Sequence, residues 1–326
     1  MLKKLEALRP FIGNTPLIKL KNSDISLYTK LEFNNYSGSM KDRAAYNILW
    51  NGINNKQIRE ETVIIESSSG NLAISLAMIC KQIGLPFIPV IDPNINRMNE
   101  NILKLFTDNT IKVTEQDSTG GYLLTRIDVI KKICDENPYA FWTNQYDNPD
   151  NYLAYYNTLG VEICNHFDTL DYVFVAVSSG GTITGISKRI KEKFPKVQVI
   201  AVDIMGSVIF GNTPQKRYLS GIGSSKSPSI ISEALIDNII IVSQEDAIEG
   251  SHKLLKDHGL FTGASTGAVY SALEGFLSGK TNMKDKNAMF ICADKGISYM
   301  DSIYNSDWVK ETFTATQINL LDVILK

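Results

Sequence analysis

Lys41 stands in the stretch YSGSMKDRAA (36–45), where small residues precede it and an apolar helical run (Ala44, Ala45, Ile48, Leu49) follows. A surface lysine needs no such frame; a lysine that must bond covalently to a carbonyl does. Three further turns could hold a ligand. ESSSGN (66–71) follows an apolar run and opens a helical one, so its N–H groups and serine hydroxyls could hold a carboxylate. SSGGT (178–182) has the same context. Its two glycines permit close backbone approach and Thr182 adds a hydroxyl, which suits a phosphate. TGASTGA (262–268) offers Ser265 and Thr266 between glycines, again before a helix. Any one of these turns could simply cap a helix with Ser or Thr. Together with the framed lysine they meet a single set of needs: a phosphate nest, an amine for an aldehyde, a partner for a ring nitrogen and a carboxylate cradle. Pyridoxal phosphate with an amino-acid substrate has those needs. No GKT or GKS phosphate loop is present and SSGGTITG is not GxGxxG, so neither nucleotide hydrolysis nor dinucleotide binding is supported.

The elements that must carry these turns are readable from apolar runs. TVIIE (62–66), FIPVI (87–91), TIKVT (110–114), YVFVAV (172–177), VQVIAVD (197–203), IIIV (239–242) and AMFICA (288–293) alternate with amphipathic stretches. In NLAISLAMICKQIG the apolar Leu72, Leu76, Ile79 and Ile83 recur at helical spacing. Runs apolar at most positions suit strands buried on both faces of a parallel sheet, and strand–helix alternation predicts an α/β fold. NQYDNPDN (144–151) punctuates the middle as a candidate hinge between two α/β lobes. In such folds ligands sit beyond the carboxyl ends of strands, where the three turns fall.

The 326 residues, 44% hydrophobic and 21% charged, fit a globular chain with a large core. A net charge of −2 gives no basic footprint for nucleic acid or an anionic membrane. Cys80, Cys134, Cys164 and Cys292 are far apart with no CxxC pair, which predicts reduced thiols, no disulfide framework and no metal site. His252 and His258 lie six apart, off one helical face, and read as surface residues. The N-terminal stretch lacks an apolar core, so no signal peptide is expected. No apolar run reaches membrane-spanning length. A cytoplasmic protein is the expectation.

GNTPLIKL (13–20), KLEFNNYSGSMKDRAA (30–45), ESSSGNLAISLA (66–77), SSGGTITG (178–185) and GASTGA (263–268) resemble, in order, the motifs of the cysteine synthase/cystathionine β-synthase family. These are fold type II pyridoxal-phosphate enzymes, similar to the tryptophan synthase β subunit. The resemblance runs from about Gly13 to Tyr299. It implies two α/β lobes with mostly parallel central sheets: a smaller one of residues 36–147, and a larger one of 1–35 and 148–326 carrying the phosphate site. It also implies a homodimer. Lys41 matches the Schiff-base lysine. Asn71 matches the contact to the cofactor's 3′-oxygen, Ser178, Ser179, Gly180, Gly181 and Thr182 the phosphate loop, and Ser265 the partner of the pyridine nitrogen. Ser68, Ser69 and Asn71 match the substrate-carboxylate loop, with Gln145 its companion; SGIG (220–223) resembles a loop bordering the site. Several residues depart from the family pattern. Tyr36 replaces a proline, Ser37 a glycine or threonine, Leu72 a threonine and Ala73 a glycine, and Ser298 stands where an arginine is usual.

The resemblance implies β-replacement: one substituent leaves the β-carbon of an amino acid and a second nucleophile adds. A neutral serine at the ring nitrogen favours elimination with little carbanion build-up, and a freed Lys41 can act as base at the α-carbon. Within the family the chain is most similar to a branch joining O-phosphoserine to the amine of glutamate, towards the 2,3-diaminopropionate of siderophores. SGSMKDR, SGNL, GGYLLTRI (120–127) and GSVIFG (206–211) carry that likeness. A dicarboxylic nucleophile needs cationic partners. Arg126 is a candidate, against a plain solvated arginine on a helix; Tyr146 is a second, against simple packing beside the hinge. Asp42 and Arg43 read first as structural. The rival readings are a cysteine synthase using sulfide, a lyase or dehydratase, and a non-catalytic binding paralogue.

Overall fold

A computed structural model describes residues 1–313. The described strands are β1 (Leu17–Leu20), β2 (Ser26–Leu31), β3 (Val63–Ser67), β4 (Phe87–Ile91), β5 (Ile111–Lys112), β6 (Ala140–Trp142), β7 (Tyr172–Ala176), β8 (Gln198–Ile204), β9 (Asn238–Val242) and β10 (Asn287–Cys292). The α-helices are α1 (Leu2–Glu6), α2 (Lys41–Asn54), α3 (Asn71–Ile83), α4 (Arg97–Phe106), α5 (Leu123–Glu136), α6 (Pro149–Asn157), α7 (Leu159–His166), α8 (Gly181–Lys193), α9 (Gln244–His258), α10 (Ala264–Leu277) and α11 (Ser306–Thr312). A six-stranded sheet has the order β1-β2-β10-β7-β8-β9 and a four-stranded sheet the order β5-β4-β3-β6. Every pairing is parallel except β1 with β2. The α/β fold with mostly parallel sheets is as the sequence predicts.

The strands are apolar along their length because both faces are covered. On β7 and β8, Phe174, Ile200 and Val202 enter one core while Val173, Val199 and Ala201 enter another. Ile64 and Ile65 divide the same way on β3. On α3 the predicted stripe of Leu72, Leu76, Ile79 and Ile83 is at most 3% exposed. Burying each such side chain stabilises by roughly 1.5–3 kcal/mol. Leu72 therefore belongs to the core, and its departure from threonine costs the fold nothing.

Both sheets reverse strand order next to a predicted ligand turn. In the smaller sheet the chain runs from β3 to β4 to β5 on one side and returns to β6 on the other, so the end of β3 is a switch point. In the larger sheet β7 leads to β8 and β9 one way, and β10 lies the other way. Crevices open at the carboxyl ends of strands at such points. ESSSGN and SSGGT occupy these two ends.

Two expectations, on Pro149 and on the two histidines, are corrected. Of residues 1–35, Leu5, Leu8 and Ile12 pack into the core around α2 and α3. The apolar side of α1 is thus buried against the smaller sheet's helices. Pro149, read as punctuation, is the first residue of α6, and the Asn148 side chain accepts from Asp150 N at 2.9 Å. Proline suits that position because its missing N–H would have no helical partner there. His252 and His258 are half-buried, each bonded internally, to Ile303 O at 2.8 Å and Tyr270 OH at 3.2 Å. All four cysteines are free thiols. Among the described residues no helix is long and apolar enough to cross a membrane.

Candidate active site

Lys41 opens α2, and the turn before it is bound from both sides. The Asp42 carboxylate accepts from Ser37 N and Ser37 Oγ, both at 2.6 Å, closing the turn over Gly38, whose φ is +91°. Ser37 thus supplies a hydroxyl bond that a glycine there could not. Met40 N donates to Ala293 O at 2.9 Å and Ser39 bridges Asp294, which fixes the turn to the end of β10. Behind it, Arg43 is buried between two carboxylates. Its Nε and Nη2 donate to Glu32 at 2.7 and 2.8 Å, and its Nη1 and Nη2 donate to Glu162 at 2.6 and 2.9 Å. Lys30 adds a 2.7 Å bridge to Glu162. Asp42 and Arg43 are therefore structural, as their place in the sequence suggests.

Lys41 Nζ donates to Ser179 Oγ at 3.4 Å, so the lysine reaches across to the turn after β7. Burial lowers its ammonium to about 8, against the opposing pull of Asp294 and Glu66. About a tenth of the side chain is then free amine at pH 7, roughly three hundred times the share of an ordinary lysine.

The SSGGT turn forms a cup at the start of α8. Gly180 has φ +81°, and a Cβ on Gly181 would lie 2.2 Å from Asn151 Oδ1. The first N–H groups of α8 have no helical partners and face outward from the helix end. Ser179 Oγ accepts from both Lys41 and Asn151 Nδ2 (3.3 Å), which leaves its proton for a ligand. Ser178 instead donates to Gly223 O at 3.0 Å, tying the cup to SGIG. Unpaired amides at a helix N-terminus, with Ser179 and Thr182 beside them, fit a phosphate.

The turn after β3 is held by its own serines and by neighbours from other elements. Ser68 Oγ accepts from Gly70 N and Ala73 N at 3.4 and 3.3 Å, and so shapes the turn. The carbonyl of Ser69 accepts from Asn99 Nδ2 at 3.2 Å. Gln145 is buried against this turn, its Nε2 donating to Ser67 O at 3.2 Å. Asn71 Nδ2 donates to Asp294 Oδ2 at 2.6 Å, and Tyr299 OH donates to the same oxygen at 2.7 Å. Ser265 is 3% exposed, and its Oγ lies 3.9 Å from where a Cβ of Gly221 would be. Lys41, Asn71, the SSGGT cup and Ser265 thus connect through direct contacts or through Asp294 and SGIG.

The sequence reading missed Glu66, Asp294 and Asn151. Glu66 and Asp294 each follow a buried apolar strand run at a ligand turn, which was the available signal. Burial pushes both carboxyls up. Glu66 Oε1 and Asp294 Oδ1 have no hydrogen-bond partner among the described residues.

Arg126 is not a solvated arginine. It is 9% exposed, its Nη1 lies 3.3 Å from Asp92 Oδ2, and its Nε and Nη1 lack hydrogen-bond partners. Tyr146 is 8% exposed and packs on Leu123, Ile127 and Trp142 beside it. Burial pushes the Tyr146 phenol up, opposed by the charges of Arg126 and Arg217.

Residues 8–294 match the model of the pyridoxal-phosphate dependent enzyme family. The chain is 40% identical over 303 residues to an N-(2-amino-2-carboxyethyl)-L-glutamate synthase of Ralstonia nicotianae, spanning 91% of this chain and 89% of that one. Its fold superimposes on an O-acetylserine dependent cystathionine β-synthase from Helicobacter pylori with TM-score 0.83 at 28% identity, covering 90% of this chain and 97% of that one. A hydrogen sulfide-producing enzyme from Fusobacterium nucleatum gives TM-score 0.85 at 28% identity, covering 96% and 95%.

Proposed function

The chain belongs to the pyridoxal-phosphate dependent enzymes and performs β-replacement; from that premise we propose that it joins O-phospho-L-serine to L-glutamate, giving N-(2-amino-2-carboxyethyl)-L-glutamate and inorganic phosphate. The observation that carries this reading is Arg126, a buried guanidinium beside Tyr146 that has one 3.3 Å ion pair, with Asp92, and no hydrogen-bond partner on Nε or Nη1. A buried cation so loosely held suits a carboxylate on the incoming nucleophile, and sulfide would have no use for it. The Ralstonia nicotianae relative, by its name, makes this product.

The roles follow from placement. Pyridoxal phosphate, when bound, supplies an electron sink that acidifies the substrate's α-proton. The N-terminus of α8 with Ser179 and Thr182 would hold its phosphate, Lys41 its aldehyde carbon, Asn71 its 3′-oxygen and Ser265 its ring nitrogen. The turn of Ser68, Ser69 and Asn71, with Gln145, holds the substrate carboxylate. Lys41 takes the α-proton as the Cβ–O bond breaks and phosphate departs. The neutral amine of glutamate then forms the new N–Cβ bond, loses a proton, and the α-carbon regains one. Burial aids Lys41 as a base because its ammonium is held near 8, close to working pH. Tyr146 and Arg126 orient the nucleophile.

We take residues 36–147, with the N-terminal segment through Ile12 packed on them, as the smaller lobe and the remainder as the larger, working as a homodimer in the cytoplasm. The four free thiols suit a reducing compartment. Mass spectrometry of one reaction tests the function: loaded enzyme receives O-phosphoserine with equimolar glutamate and sulfide. The glutamate adduct should dominate. Cysteine as the main product would overturn the reading in favour of a sulfhydrylase.

A further inference from the structure

Arg217 lies in the long segment between β8 and β9, half-buried at the same end of the sheet as the site. Its Nη1 packs so closely on Gly223 that a Cβ there would meet it at 2.6 Å, and its Nη2 donates to Ser225 Oγ at 2.8 Å. That loop is the wall of the site: Gly221 faces Ser265 and Tyr299, and Gly223 accepts from Ser178. Ser225 in turn approaches Gly121, 3.5 Å from where its Cβ would be, just before α5 and Arg126. The contacts therefore run from the ring-nitrogen serine through Arg217 to the helix that carries Arg126. Tyr146 lies within the field of both guanidinium groups.

The two arginines are incompletely neutralised. Among the described residues no carboxylate comes within 4.0 Å of Arg217. The acidic group whose field reaches it, Asp203, accepts from Ile204 N at 2.8 Å, and burial biases it towards the neutral form. Arg126 has a single loose contact with Asp92. Two cations whose fields reach one phenol, one held by a single loose ion pair and the other by none among the described residues, repel each other until an anion enters. Glutamate in its reactive form has a neutral amine and two carboxylates, a net of two negative charges.

We propose that Arg217 is a specificity-determining residue that, together with Arg126, holds the two carboxylates of a dicarboxylic amine nucleophile across Tyr146. The proposal rests on the glutamate reading above and extends it to a second cation from the larger sheet.

The test is steady-state kinetics of the loaded Arg217→Gln enzyme, with phosphate release and adduct formation measured separately. The KM for glutamate should rise roughly 30-fold, the size expected for losing charge-assisted hydrogen bonds. The rise in the KM for glutamate should exceed any change in the KM for O-phosphoserine or in phosphate release without glutamate by at least about tenfold. Preference for glutamate over glutamine should collapse in the same variant. Calorimetric binding of glutamate to the loaded enzyme should weaken in step. Arg217→Lys, which keeps the charge, should recover most of the affinity and guards against misfolding of the first variant. An unchanged glutamate KM in both variants would overturn this proposal alone. A loss falling on O-phosphoserine and phosphate release would also overturn it, by moving Arg217 to the leaving group. Failure of the unaltered enzyme to make any glutamate adduct would overturn the glutamate reading and this proposal together.

Discussion

Replacing Arg43 by methionine removes the charge that anchors the lysine turn without emptying its space. Arg43 is 2% exposed and makes four hydrogen bonds to Glu32 and Glu162. Glu32 is fully buried, and the variant would leave it with Thr15 and Asn35 as donors and no salt-bridge cation. Breaking such a buried pair from one side costs about 3–5 kcal/mol, a large part of the ~5–15 kcal/mol that holds a protein together. The pH dependence follows from Glu162, whose carboxyl is held at about 2 against an ordinary 4.5, burial being outweighed by Arg43 and Lys30. A depressed carboxyl stabilises fully above 4.5 and loses that contribution as pH falls through about 2. Its worth is at most ~3 kcal/mol, nearer ~2 after solvent screening. In the unaltered protein the network therefore survives at pH 5. In the variant Glu162 keeps Lys30, whereas Glu32, buried without a cation, is raised, so it protonates on the way down to pH 5 and the penalty shrinks. Urea unfolding of the apo proteins, followed by tryptophan fluorescence, should show a deficit of about 4 kcal/mol at pH 7 and about half that at pH 5. Adding Glu32→Gln to the variant should recover stability at pH 7, because it removes the orphaned charge. Equal deficits at both pH values, or a further loss on adding Glu32→Gln, would refute the reasoning.

Gly181→Ala should weaken pyridoxal phosphate binding at least about tenfold, since its methyl would lie 2.2 Å from Asn151 Oδ1 beside the phosphate cup; equilibrium dialysis against the cofactor measures it. The rate at which apo protein takes up the cofactor covalently should rise about fivefold from pH 7 to pH 8 and less than twofold from pH 8 to pH 9, because the free-amine share of Lys41 saturates above about 8. A tenfold rise across each unit, followed by absorbance after rapid mixing, would show an ordinary lysine instead.

The lysine turn, the SSGGT cup and the central strands were legible because each is set by neighbours within about ten residues. Apolar runs such as YVFVAV become strands buried on both faces, and the turns after them fall at the switch points. What escaped has a different origin. Asn71 and Asp294 meet across 223 positions of sequence, and Arg43 and Glu162 across 119, so neither pair has a local signature. Arg217 sits in a segment without regular structure, where periodicity carries no information. β1 and β2 were missed as strands because their burial is mixed, β2 pairs with the distant β10 and β1 pairs with β2 alone. Arg126 was legible as a candidate, but its burial was not, since Asp92 lies on another element.

The bond from Met40 N to Ala293 O sets an order on how the protein comes into being. The reactive lysine is made early, yet its turn is fastened to β10, which follows some 240 residues later, and β10 also supplies the parallel neighbour of β2. At ordinary translation rates of about 5–20 residues per second, the first forty residues wait on the order of ten seconds or more for that fastening. A growing chain can assemble the smaller sheet from residues 63–142 while its lysine remains an ordinary, fully charged side chain. Burial, and with it an amine ready to meet an aldehyde, arrives only when β10 closes the larger sheet. On the role proposed for Lys41, cofactor capture is thereby tied to completion: a truncated product lacking β10 would hold the lysine but not the reactivity, and would withdraw no cofactor from the cell's supply.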